Sequence, residues 1–213
     1  MSETLLPILQ DPAVLSRTSA ATRRALEERA RPSESSERFL SAELFQLLEQ
    51  ITAAILPQGS MATDVDIASV IDQRLLSGKH AGWRFADLPA DGEAYRQGLT
   101  VLASMLQRTP GKSFQNMPTA VGEAYLQCVA NGDMDAAANF PLSKWLTRLR
   151  VDTVQIWMAH PSTMLKMEFY GFADGETGST DGATDHEGWL ALTPDKALPF
   201  EQGITRPMEV ASV

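Results

Sequence analysis

Residues 141–175 have the sequence PLSKWLTRLRVDTVQIWMAHPSTMLKMEFYGFADG, and this stretch determines the predicted fold. Its first part predicts one long amphipathic helix that begins at Pro141 and ends at His160-Pro161. The apolar side of that helix consists of Leu142, Trp145, Leu146, Leu149, Thr153, Ile156 and Trp157. The second part is aromatic and punctuated by glycine. Neither part has the residue pattern of an active site.

Helical patterns precede this stretch, and no strand alternation is found before Gly175. Apolar stripes, capping residues and stop signals predict four more helices. They extend from Ser41 to Pro57, from Asp64 or Asp66 to Gly78, from Gly92 to Gln107, and from Pro118 to Asn131. The stripe of the helix from Gly92 is predicted to be Tyr95, Leu99, Leu102 and Leu106, and that of the helix from Pro118 is predicted to be Val121, Tyr125, Leu126 and Val129. The intervening loop holds Trp83, Phe85 and Leu88, which are expected to be buried anchors.

The fold class is therefore predicted to be all-α, a single helical domain with about six helices when the helix of the N-terminal arm is included, and residues 39–175 form the body of the domain. The N-terminal arm, residues 1–38, holds a helix from Pro12 to Ala30 with mostly small apolar residues. Such a helix buries little surface alone, so we expect it to pack on something larger. The C-terminal tail, residues 176–213, is predicted to be irregular, flexible and acidic. Within it, Trp189-Leu190-Ala191-Leu192 is an apolar anchor for this domain or for a partner.

Composition and charge exclude several classes of function. The formal net charge of −9 disfavours binding to nucleic acid or to an acidic membrane surface. The single cysteine, Cys128, excludes an internal disulfide framework and a cysteine-based zinc site. No apolar run approaches the roughly 18 residues of a membrane-spanning helix, so no direct membrane span is predicted.

The residues Thr22-Arg23-Arg24-Ala25-Leu26 superficially resemble a twin-arginine export signal. The apolar segment that must follow such a signal is missing, since Glu27 and Glu28 come next. This predicts a cytoplasmic protein. The alternative is a periplasmic location, reached by export together with a partner.

Three patterns bear on chemistry, and each also has a structural interpretation. Gly111-Lys112-Ser113 resembles the end of a phosphate-binding loop, but Leu106 stands where the first glycine is needed, which favours a turn. Cys128 could be a nucleophile with His160 as its base, but a small buried hydrophobe is favoured. His160 ends the long helix, where it is expected to interact with the last carbonyls, with a partner interface as the alternative.

Two further groups of residues also have both a functional and a structural interpretation. The tail cluster of Asp181, Asp185, His186 and Glu187 lacks calcium-loop spacing, which favours a solvated acidic segment. Met158, Met164 and Met167 suit either the core or a protein-binding surface. No catalytic, cofactor-binding or metal-binding residue is assigned from the sequence.

A series of short landmarks runs along the chain from Phe39 to Gly175. They are Ile55-Leu56-Pro57, Val70-Ile71-Asp72 with Leu75-Leu76-Ser77-Gly78, Leu88-Pro89, Gly98-Leu99 with Leu102, Phe114, Gly132-Asp133, His160-Pro161 and Phe169-Tyr170-Gly171-Phe172. None is specific alone. In order and spacing they resemble the gluconate 2-dehydrogenase subunit 3 family, the small (gamma) subunits of bacterial FAD-dependent sugar and polyol dehydrogenases.

The resemblance implies a helical accessory subunit with no catalytic residue and no cofactor of its own. Such a subunit binds a large FAD-containing dehydrogenase subunit of the glucose-methanol-choline type and supports its folding. The large subunit oxidises the sugar or polyol, and an acceptor such as a cytochrome c subunit takes the electrons. Two alternatives stay open, namely a free-standing assembly chaperone for such a flavoprotein and an unrelated helical binding module.

The chain departs from the family pattern in its lack of a usable export signal. It also has Ser162-Thr163-Met164-Leu165 where a glycine pair often follows His-Pro. An obligate interface buries on the order of 2,000 Å² or more, with aromatic and methionine anchors. The interface residues predicted from the sequence are Trp83, His160, Phe169, Tyr170, Phe172 and Trp189.

Overall fold

The computed structural model describes residue 18 and residues 20–31, 37–58, 65–79, 82–107, 114, 117–167 and 169, and the structural statements below concern these residues. This part of the chain contains eight helices and no strand. The helices are α1 (Ala20–Ala30), α2 (Ala42–Ile55), α3 (Ile67–Leu76), α4 (Asp91–Gln107), α5 (Thr119–Asn131), α6 (Asp135–Ala138), α7 (Leu142–Ala159) and α8 (Pro161–Lys166). The prediction of an all-α fold is confirmed. None of these helices is both long and apolar enough to cross a membrane.

Helix α7 lies at the centre of the fold, because it contacts α2, α3, α4, α5, α6 and α8. Its inward face is completely buried and consists of Leu142, Trp145, Leu146 and Leu149. Fully burying a leucine side chain contributes roughly 1.5–3 kcal/mol. Helix α7 is therefore the element on which the other helices assemble.

Helix α4 shows why the apolar stripes of the sequence were informative. Its predicted stripe is buried throughout and consists of Tyr95, Leu99, Leu102 and Leu106. Gly98 lies on the same face, and a Cβ atom added there would lie only 2.4 Å from the ring of Trp145. The absence of a side chain at Gly98 thus allows α4 to approach the largest side chain of α7.

Two helices begin at the capping residues that the sequence predicts. Ser41 precedes α2, and its hydroxyl accepts a hydrogen bond from the N–H of Leu44 at 3.4 Å. Asp66, rather than Asp64, precedes α3, and its carboxylate accepts from the N–H of Ser69 at 3.0 Å. Each bond satisfies a helix N-terminal donor that has no partner within the helix.

The carboxylate of Asp72 joins α3 to the segment that leads into α2. Its two oxygens accept hydrogen bonds from the N–H groups of Phe39, at 3.2 Å, and Leu40, at 3.0 Å. Asp72 is completely buried, and a buried charged group is tolerated only when it is well hydrogen-bonded. This contact fixes the entry of the chain into α2, a role that the sequence did not predict for Asp72.

The chain around Pro161 differs from the prediction. Helix α7 ends at Ala159, His160 is extended, and Pro161 begins the new helix α8 instead of merely stopping the old one. Proline suits the first position of a helix, because the N–H that it lacks has no intrahelical partner there. The single turn α6 was likewise not predicted.

The arm helix α1 packs against α8 and buries Leu26, which agrees with the expectation that it needs a larger surface. Helix α1 begins at Ala20, and Thr18 before it is buried and not helical, so the predicted helix is interrupted there; the first residues of the prediction, 12–17, lie outside the described residues. Threonine has a low helix propensity, which is consistent with this start. The domain boundaries at residues 38 and 175 remain predictions.

Two apolar side chains that the sequence placed inside are exposed. Val121 is 47% exposed, and its neighbour Gly122 takes the inward position on α5, facing the ring of Phe114. Trp83 is also 47% exposed, so its predicted role as a buried anchor is wrong, whereas Leu88 of the same loop is buried.

Candidate docking surface

A buried polar network connects α4 and α7 and leads to Trp83. The hydroxyl of Tyr95 donates to Oδ2 of Asp152 at 2.6 Å, and Nη2 of Arg148 donates to Oδ1 at 2.9 Å. Arg148 and Asp152 lie one helical turn apart on α7 and are 5% and 6% exposed. We call Tyr95, Arg148 and Asp152 the Arg148 network.

The guanidinium of Arg148 holds Trp83 at two points. Nη1 donates to the backbone carbonyl of Trp83 at 3.5 Å, and the guanidinium carbon lies 5.0 Å from the centroid of the Trp83 ring. The ring also meets Phe85 edge-on, with centroids 5.8 Å apart. Trp83 is thus exposed to solvent but supported from within the protein.

Burial sets the protonation of the Arg148 network. It raises the pKa of Tyr95 well above 10.0, and the neighbouring charge of Asp152 acts in the same direction. Tyr95 therefore remains a hydrogen-bond donor. Burial also raises the pKa of Asp152 above 3.8, although the bond from Tyr95 and the charge of Arg148 oppose that change. Both oxygens of Asp152 accept hydrogen bonds, which identifies it as a carboxylate.

A second contact attaches the same loop to α7. Lys144 forms a salt bridge with Asp87, and its ammonium lies 6.0 Å from the ring centroid of Phe85. Both charged groups are about half exposed, and exposed pairs of this kind contribute only about 0.2–1 kcal/mol. The loop that carries Trp83 is therefore held by the buried Leu88 and by contacts with Arg148, and Lys144 contributes a further, weaker contact.

The described interface candidates lie in two places along α7. Trp83 lies beside Arg148, whereas His160 and Phe169 flank α8 at the far end of α7. Twelve residues separate Arg148 from His160, which corresponds to roughly 18 Å along a helix. Phe169 is 46% exposed, and its N–H donates to the carbonyl of Met164 at 2.9 Å. The other three candidates, Tyr170, Phe172 and Trp189, lie outside the described residues.

His160 acts at the start of α8 rather than on the last carbonyls of α7. Its Nδ1 accepts a hydrogen bond from the N–H of Ser162 at 3.3 Å. Burial lowers the pKa of His160 below 6.5. Both observations favour the neutral imidazole, since protonation of Nδ1 would remove the acceptor.

The stability of the protein should therefore fall as the pH drops below 6.5. The unfolded chain takes up the proton first, because the pKa of His160 is lower in the folded state. His160→Asn keeps a capping acceptor that does not titrate, so it should remove this component of the pH dependence. Urea unfolding measures the free energy of unfolding at several pH values between about pH 8 and pH 5, a range that includes the ordinary histidine pKa. An unchanged slope in His160→Asn would contradict the assignment.

The remaining candidates of the sequence are not brought together into a reactive site. No hydrogen bond joins His160 to Cys128, both of which are described, and Cys128 is half-buried. Gly111-Lys112-Ser113 and the acidic cluster of the tail lie outside the described ranges. Met164 is buried, whereas Met158 and Met167 are 42% and 41% exposed. Within the described ranges, no three His, Cys, Asp or Glu side chains are grouped to hold a metal ion.

A family model described as gluconate 2-dehydrogenase subunit 3 matches residues 42–174, more than half of the chain. The chain belongs to the gluconate 2-dehydrogenase subunit 3 family. By its name, this family comprises subunits of gluconate 2-dehydrogenase. Neither a curated protein nor a solved structure gives a match. The range matched by the gluconate 2-dehydrogenase subunit 3 model contains Trp83 and the whole Arg148 network but not Trp189.

In this family member Trp83 remains an interface residue predicted from the sequence, and the residues that support its side chain were not predicted. One local signal was present, because Arg148 and Asp152 are four residues apart in a helix and can pair across one turn. Such pairs usually lie on a solvated face. Their burial depends on Tyr95, 57 residues before Asp152 in the sequence, and on the Trp83 loop.

Proposed function

We propose that this chain is a non-catalytic small subunit of a sugar or polyol dehydrogenase complex. In this proposal it binds, helps to fold and stabilises a large FAD-dependent subunit of the glucose-methanol-choline type. FAD and the catalytic residues belong to that partner, and a cytochrome c subunit is a candidate acceptor of the electrons. Membership in the gluconate 2-dehydrogenase subunit 3 family supports the subunit role.

The observation that carries the proposal is the combination of exposure and support at Trp83. An exposed tryptophan is costly to keep in water, yet Arg148 fixes both its carbonyl and its ring. Tryptophan is among the residues most enriched at the energetic centres of protein interfaces. A side chain held in place before binding also loses less conformational freedom on association. Trp83 thus has the properties of a preorganised anchor for another protein.

The proposal is tested by expressing the full chain alone and together with a candidate large FAD-dependent dehydrogenase subunit from the same genome. Size-exclusion chromatography with flavin absorbance then shows whether the two chains elute together. A flavin-containing complex is the expected result. A colourless chain that always elutes alone would contradict a permanent subunit. A flavoprotein that folds only with this chain but elutes without it would indicate the chaperone alternative.

Trp83→Ala should weaken that complex by at least about 30-fold, which corresponds to roughly 2 kcal/mol for the loss of a hot-spot side chain. The stability of the isolated chain should change little, because Trp83 is nearly half exposed. Affinity is measured by titrating the purified variant against the large subunit. Val121→Ala is the matched control, since Val121 is equally exposed on α5 but outside the network. Equal affinities for the two variants would exclude Trp83 as the anchor.

A further inference from the structure

A cavity of about 360 Å³ is lined by residues of α3, α4 and α7 and by Lys79, and Tyr95, Arg148 and Asp152 of the Arg148 network belong to its lining. Ile71 and Leu75 give it an apolar part, and both are buried. The polar lining consists of Arg74, Lys79, Asp91, Tyr95, Arg148, Asp152 and Gln155. Residues of the Arg148 network therefore form one wall of a space that is large enough for a small polar group.

The charges around this cavity contrast with those of the whole chain. Three basic and two acidic side chains line it, which leaves an excess of positive charge in a protein whose net charge is −9. Arg74 and Lys79 are exposed at its rim, and neither forms a salt bridge with another described residue. Asp152 is ion-paired with Arg148, and the charge of Arg74 also favours the ionised form of Asp152.

Arg148 is also incompletely satisfied. Its Nε atom is buried and has no hydrogen-bond partner among the described residues. A second, more open depression provides a comparison, since it is lined by Lys144, Asp87 and Asp135. There Lys144 pairs with Asp87, and Asp135 accepts from Ser143 at 2.8 Å. Of these two cavities, only the first has basic side chains at its rim, Arg74 and Lys79, that form no salt bridge with a described residue. It is also the one lined by Arg148, whose Nε has no hydrogen-bond partner among the described residues.

We propose that the cavity at Arg74, Lys79 and Arg148 is a carboxylate-binding site. Guanidinium and ammonium groups make their strongest hydrogen bonds to such oxyanions. The carboxylate has two possible sources, a small free organic acid or an acidic side chain of the large subunit. The second source rests on the proposed function, whereas the first does not. Because Arg148 also contacts Trp83, a carboxylate bound in the cavity would change the environment of the Trp83 side chain.

The first arm of the test uses the isolated full chain. Sodium acetate and sodium gluconate are titrated by calorimetry and tryptophan fluorescence, with sodium chloride at equal ionic strength as the reference. If the source is a free acid, binding should saturate and weaken by about tenfold or more in Arg74→Gln/Lys79→Gln, as expected for lost charge-assisted bonds. Arg24→Gln/Arg150→Gln removes the same charge from exposed positions outside the cavity and should bind as the wild type does.

The second arm uses the complex with the large subunit. If the source is a partner side chain, Arg74→Glu/Lys79→Glu should lower the affinity for the large subunit by about tenfold or more. The control Arg24→Glu/Arg150→Glu should bind the large subunit as the wild type does. Circular dichroism checks that all variants remain folded. The site is overturned if carboxylates bind no better than chloride and both double variants assemble like the wild type. If the wild-type chain never assembles, the proposed function fails, and the first arm alone decides this inference.

Discussion

Gly98→Ala is expected to destabilise the folded protein by about 3 kcal/mol, the upper end of the usual cost of overpacking a core, although alanine is the better helix former. The gain in helix propensity is at most about 1 kcal/mol. The added Cβ would lie 2.4 Å from the completely buried ring of Trp145, a distance at which something must move. The ring is enclosed between α4 and α7 at the centre of the fold, so its displacement disturbs the other core residues of α7. Overpacking should therefore outweigh propensity.

Gly92→Ala is the matched control for this substitution, because Gly92 lies on the same helix. Its added Cβ would meet Phe39 at 2.7 Å, but at the far end of a half-buried ring. The partly buried side chain of Phe39 can shift by a change in χ1, so Gly92→Ala should remain within about 1 kcal/mol of the wild type. Urea unfolding followed by circular dichroism gives both values. Similar free energies of unfolding for the two variants would show that the close approach of α4 to Trp145 does not require glycine at position 98.

The residues around Gly98 show how far the sequence could predict the fold. The stripe Tyr95, Leu99, Leu102 and Leu106 gave α4 correctly, because burial of one face repeats with the period of the helix. Pro161 was misinterpreted because proline signals both the end of one helix and the first position of the next. Choosing between these roles requires the surface onto which α8 packs, which includes α1.

The candidate site was predicted only in part, for a different reason. An exposed aromatic in a loop gives the same local signal as a buried one, so Trp83 could be named but its environment could not. Arg148 acts on Trp83 across 65 residues of sequence. No periodic pattern carries such a pairing, because it arises from the arrangement of the loop, α4 and α7 in space.

Asp152→Asn is expected to cost about 3–5 kcal/mol of folding stability, since breaking a buried ion pair leaves the other charge uncompensated. Arg148 is only 5% exposed and has no second carboxylate within salt-bridge distance among the described residues. The asparagine oxygen can still accept from Tyr95, so the loss would report mainly on Arg148. Urea unfolding of the isolated chain measures it.

The double variant Arg148→Met/Asp152→Asn should recover most of that stability, because it removes the buried charge and keeps an apolar stem. The raised pKa of Asp152 supports this expectation, since burial outweighs the favourable contacts of its carboxylate. A double variant as unstable as Asp152→Asn would show that the uncompensated charge is not the cause.

The same double variant separates the stability of the fold from the support of Trp83. If the Arg148 network served only the fold, a stable double variant should bind the large subunit with normal affinity. In our interpretation Trp83 loses both of its contacts with Arg148, so the complex should weaken by at least about tenfold while the chain remains folded. Titration against the large subunit measures this, with Val121→Ala as the reference. The ion pair would then be explained by the position it gives to Trp83, since a buried pair adds little net stability.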